Sequence, residues 1–100
     1  MECKDLFGLF ARDLIQRGDA TFFGKRTAIR FLRVCDDHGF YVVALEGFRL
    51  SNNAASADPN WAADYSSWAR GAPHDTVRRA QQLIEHAPDE MSFSLVVRRS

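Results

Sequence analysis

By type and spacing, the residues best equipped for chemistry are Trp61, Tyr65 and Trp68, edged by Asp58 and Asp64. The rings recur at i, i+4 and i+7, the spacing of one helical face. Both tryptophans of the chain lie here, among the short side chains of Ala62, Ala63, Ser66 and Ser67. Short neighbours leave rings accessible, and tryptophan and tyrosine beside acids have the makeup of a protein-binding hot spot for a basic partner. The same stripe would also pack a helix onto a core, and the spacing alone leaves both readings open. Asp36 and Asp37 complete the expected partner-binding set as supporting charges.

Other groupings are weaker. Cys35 and His38 stand three apart, with His74 and His86 further on, whereas zinc sites want three or four ligands at tight paired spacings. A Cys-His nucleophile needs an exposed, activated thiolate, but Cys35 falls on an apolar stripe and Cys3 in an end segment expected to fray. His74-Asp75 follows Pro73 and reads as a helix start rather than a dyad. Asp36-Asp37 reads as a solvated turn. The chain has no Gly-x-Ser-x-Gly elbow, no phosphate-binding Gly-x-x-x-x-Gly-Lys loop and no Gly-x-Gly-x-x-Gly. The expectation is a non-catalytic protein, with no catalytic, cofactor-binding or metal-binding residue assigned.

One hundred residues, 46% of them apolar, suffice for one domain with one core. The net charge of zero disfavours an electrostatic nucleic-acid binder. It hides an asymmetry. Between Arg12 and Arg33 six basic residues face two acids, and between Val34 and Ala69 five acids face Arg49 alone. Such a split is ordinarily two solvated faces, and less often a dipolar surface that steers a charged partner. No apolar run reaches 18 residues and no signal-peptide pattern follows the charged start, so a cytoplasmic protein without membrane contact is expected. Two cysteines are too few for a disulfide framework. Oligomeric state is left open.

The elements that must position these residues follow from periodicity. Arg26, Arg30 and Arg33 form one stripe, while Ala28, Phe31, Leu32 and Cys35 form another on the opposite side of a helical cylinder. The alternative, a hairpin over 28–49 turning at 36–39, would mix arginine into both faces. A helix over 25–37, closed by Gly39, is therefore expected. Leu6, Phe7, Phe10 and Leu14 predict a helix over 4–17 with Gly18 at its C′ position. Residues 40–45 read as a strand with both faces apolar, hence covered on both. Gly47 marks a bulge or bend, and 48–50 continue the sheet. Residues 51–57 read as a loop. Asp58-Pro59 and Arg70-Gly71 frame a helix over 59–70. Val77, Ala80, Leu83, Ile84 and Ala87 predict a helix that starts after His74-Asp75 and stops before Pro88. Met91, Phe93, Leu95 and Val97 predict a strand over 91–98. The expected fold is a small single α+β domain spanning 1–100, in the order α-α-β-α-α-β. Its helices pack on a short mixed sheet centred on 40–46 and 91–98, with a third strand from 19–23 or 48–50.

The run Ala28-Ile29-Arg30-Phe31-Leu32-Arg33-Val34-Cys35, then Gly39-Phe40, then Leu45-Glu46-Gly47-Phe48, resembles small uncharacterised bacterial proteins. In those, a helix of the form FLxxC feeds a strand ending in EGF, and residues 63–67 and 75–98 are compatible with the pattern. In size and makeup the chain is similar to the immunity proteins of toxin–immunity systems, which neutralise a bacterial toxin by binding it. The resemblance implies a toxin inhibitor whose partner is a toxin domain, here expected to be basic. The zero net charge points away from a nuclease-directed member. The alternative is a small enzyme or ligand-binding domain of unknown substrate.

Overall fold

Apolar periodicity decides most of the architecture. In the computed structural model, which describes residues 2–99, the arginine stripe rides on a helix over Lys25–Asp37 (α2), the bounds expected. Ala28, Phe31, Leu32 and Cys35 are its buried residues, and Gly39 takes the left-handed φ of 76° that lets the chain turn out of it. Before it come a short helix over Cys3–Gly8 (α1) and strands over Leu14–Arg17 (β1) and Ala20–Gly24 (β2). After it come strands over Phe40–Leu50 (β3) and Ala55–Asp64 (β4), a single turn over Ser66–Ala69 (α3), a helix over Pro73–His86 (α4) and a strand over Ser92–Arg99 (β5). The class is α+β.

Two expected helices are corrected. Of the span 4–17 only residues 4–8 are helical, within α1, and residues 14–17 pair with 20–23 as a hairpin. Gly18, with φ of 59°, serves the first position of a two-residue turn instead of a helix C′. The first half of the span 59–70 is strand and only 66–69 are helical, and residues 55–57 of the expected loop belong to β4. Pro59 falls where β4 loses register with β3: Glu46 pairs with Ala62, but Gly47 pairs with Asp58. The three residues between form a bulge, a place where proline withholds no ladder hydrogen bond. The element order is therefore α-β-β-α-β-β-α-α-β.

The sheet is antiparallel throughout rather than mixed, in the order β1-β2-β5-β3-β4. β5 lies between β2 and β3, which makes those two parallel to each other with α2 as their crossover. By the same logic β4 is parallel to β5, with α4 crossing over β3 between them. One unit runs up and shifts one way, and the other runs down and shifts the opposite way. A half-turn about the sheet normal relates them, so the right-handed rule for such crossovers puts both helices on one face. α2 and α4 do pack together there, over Phe23, Phe40, Val42, Leu45, Phe93, Leu95 and Val97. The inward set on β3 changes parity between Val42 and Leu45, through a second register shift at Val43. Buried Thr76 on α4 ties helix to sheet, accepting the Val42 N–H at 2.9 Å and donating to the Pro73 carbonyl at 2.7 Å.

The opposite face has no helix upon it among the described residues, so β3 is covered on one face only, against expectation. Phe22 and Phe48 pack edge-on at 4.8 Å at one end of that face. Towards the other, Val96 is 50% exposed and Glu46 and Ala62 are open to solvent. Among the described residues no helix is long and apolar enough to cross a membrane.

Candidate functional site

Because 59–70 is not a helix, the three rings do not share a face. Trp61 lies on the inward side of β4, half-buried against the core, with its Cβ 2.8 Å from where a Cβ on Gly47 would sit. Gly47 is thus required by the close approach of Trp61. Tyr65 is a core residue, its N–H bonded to the Val43 carbonyl at 2.7 Å. Burial pushes its phenol above the usual value, opposed by the nearby charge of Arg79. Trp68 alone is presented, 44% exposed, with the Arg79 guanidinium stacked 3.8 Å from its ring centre.

The expected acids separate as well. Asp58 accepts the Asn60 N–H at 3.0 Å and lies 3.7 Å from Arg49, so its charge is already answered. Asp36 sits at the end of α2, 3.9 Å from His74. They line a polar cleft of about 410 Å³ with Arg78, Gln81 and Glu85. Asp37 is exposed beside it, with no side-chain partner among the described residues. Asp75 pairs with Arg78 at 2.9 Å rather than with His74, so the adjacent pair is not a dyad. Cys35 is fully buried and its thiol is pushed up to about 12, chiefly by loss of hydration. That is the reverse of what a nucleophile or a thiolate ligand requires.

Asp64 lies on the open sheet face. It accepts both the N–H (2.9 Å) and the hydroxyl of Ser66, and the hydroxyl first and the amide second hold its carboxyl below the usual range. Its diagonal neighbour across the β3–β4 pair is Glu46, because Ala44 faces Asp64 and Glu46 faces Ala62. The two acids flank a shallow depression of about 340 Å³ floored by the side chains of Ala44 and Ala62. Glu46 has no partner among the described residues. Small apolar side chains beneath two carboxylates suit the stem and head of a lysine or arginine from another molecule.

Of the expected partner-binding set, Asp64 and Trp68 are presented near one end of β4 and the short turn that follows. Trp61 and Tyr65 are turned inward, Asp58 is neutralised, and Asp36 and Asp37 belong to the α2 end. Glu46 was missed. Its signal was its place as the single acid in the apolar run 40–48, where alternation leaves one side chain in two facing out. Comparison with protein-family models, with curated proteins and with solved structures gives no match to the chain.

Proposed function

We propose that the chain is a non-catalytic protein-binding domain that inhibits a basic partner in the cytoplasm, in the manner of an immunity protein facing its toxin. The observation that carries this reading is the uncovered face of the sheet, where Glu46 and Asp64 flank an alanine floor. A sheet face buried by nothing in its own chain offers a flat platform. Two diagonal carboxylates give that platform a sign, and sign governs which partner arrives and how fast. Exposed Trp68 lies on the turn that follows Asp64, with its ring against Arg79 of α4, and is a second exposed aromatic surface beside that end of β4. The similarity to immunity proteins in size and makeup supports an inhibitor that acts by occupying its target.

The test uses immobilised protein and lysate of the native host. The intact chain is expected to retain a basic protein in stoichiometric amount, and the double variant Glu46→Lys/Asp64→Lys is expected to lose it. Retention of no basic protein, or equal retention by both, overturns the reading. Circular dichroism of the double variant checks that its fold is unchanged.

A further inference from the structure

Just beyond Asp64, towards Tyr41 on the same face, the charge reverses. Tyr41 on β3 pairs across the strand with Arg98 on β5, and both reach the outer side. The chain end of α3 brings Arg70 to the same place, because the Tyr65 N–H is tied to the Val43 carbonyl of β3. Tyr41, Val43, Ser66, Arg70 and Arg98 line one cleft of about 360 Å³. A second hollow of about 370 Å³ adjoins it, lined by Ser66, Ser67 and Arg70. No carboxylate lines either one.

Neither Arg70 nor Arg98 has a side-chain partner among the described residues. Lys25, Arg30, Arg49 and Arg78 meet acids and Arg79 meets a ring, whereas Arg12, Arg26, Arg33 and Arg99 are unpaired among the described residues as well. Arg70 and Arg98 stand out by sharing one cleft that no carboxylate lines. Of the two acids nearest Arg70 in sequence, Asp75 pairs with Arg78, and Asp64 accepts from Ser66 and lines the alanine-floored depression. Two guanidiniums on the walls of one cleft repel each other, and an oxyanion between them removes that cost. The planar fork of arginine matches phosphate oxygens two at a time. Free hydroxyls of Tyr41 and Ser67 supply neutral donors beside them, and the Tyr41 ring and Val43 give the cleft an apolar wall.

We propose that this cleft binds a phosphate oxyanion, carried by a small organic phosphate monoester whose non-phosphate part rests on the wall of Tyr41 and Val43. The size of the cleft exceeds what a bare phosphate needs and falls in the range of small-ligand sites. The proposal does not rest on the docking surface above: the arginines that carry it are not part of that surface, although Ser66 of the cleft bonds Asp64.

Calorimetric titration of the full chain at low ionic strength, with inorganic phosphate and with phenyl phosphate, tests it. Both are expected to bind the intact protein, phenyl phosphate at least tenfold tighter. Equal affinity assigns the site to free phosphate rather than to an organic ester. Arg70→Gln and Arg98→Gln are each expected to weaken binding tenfold or more, and Arg70→Lys to restore part of it. No heat with either probe, or unchanged affinity in Arg70→Gln, overturns the proposal. Arg70 lies in a turn outside the sheet, so its variants keep the test valid even if Arg98→Gln perturbs β5.

Discussion

On the helix-covered face of the sheet, Phe23, Phe40 and Phe93 are buried and Phe31 of α2 presses on them, its ring centre 4.4 Å from Phe23, 4.9 Å from Phe7 and 5.5 Å from Phe10. On the opposite face the same strands show Tyr41, Ala44, Glu46, Ser94 and Val96, of which Val96 is half exposed. Alternate residues of one strand thus live under different rules. Inward positions are held by packing, where a lost methylene leaves a void. Outward positions are free of that demand, and there the charges sort into an acidic patch at Glu46 and Asp64 and a basic cleft at Arg70 and Arg98. The difference teaches where to look for stability and where for recognition.

The comparison breaks most visibly at Phe31. Phe31→Ala is expected to cost about 3–5 kcal/mol by chemical denaturation, the usual range for emptying a buried aromatic site. A loss below about 1 kcal/mol would mean that the covered face is not the core. Gly47→Val comes next, at about 3 kcal/mol, because its new Cβ would meet Trp61 Cβ at 2.8 Å and Met91 Cε at 2.9 Å. Thr76→Val keeps the shape but orphans the Val42 N–H, and about 1–2 kcal/mol should be lost in the same assay.

Cys35 sharpens the contrast through pH. Its folded thiol is held near 12, above the ordinary value it regains on unfolding. Stability from this group is therefore complete below about pH 9 and is lost as pH rises towards 12, by at most ~1.4 kcal/mol per pH unit. Melting temperatures of the intact chain and Cys35→Ala, compared between pH 8 and 11, should converge as pH rises. A constant gap would count against burial of the thiol. The smallest effects belong to the open face: Val96→Ser and Asp64→Lys should each move stability by no more than about 0.5 kcal/mol. A sharp fall in melting temperature for either would show that the open face is packed after all.

Much of this division was legible in the residues. The arginine and apolar stripes of 26–35 admit only one cylinder, and α2 appears with the expected bounds. The core sides of α4 and β5 and the irregularity at Gly47 also follow from spacing, since each repeats its signal over several turns or pairs. Two stretches were misread for a common reason. Gly18 and Asp58-Pro59 carry local signals that helix ends share with hairpin turns and strand bulges. Which applies depends on whether the segment pairs with another strand: 14–17 with 20–23 across a two-residue turn, and 62–64 with 44–46 across a longer one. Nothing local to Trp61, Tyr65 and Trp68 reports that a bulge and a turn, rather than a helix, produce their spacing. For the same reason Glu46 gained its role only when β4 brought Asp64 beside it.

The insertion of β5 between β2 and β3 also sets an order of events in time. β2, α2, β3 and β4 are all synthesised before the strand that joins them, so until then β2 and β3 have open edges facing a gap. The hairpins β1–β2 and β3–β4 close over short loops and can form early. The sheet as a whole must await pairings such as Phe23 with Phe93, seventy residues apart in sequence. Closing such distant contacts is slow, and the waiting edges are the surfaces on which an unfinished chain sticks to its neighbours. Maturation of this protein is thus gated by its last strand, and a nascent chain paused ahead of Ser92 is the form most exposed to aggregation.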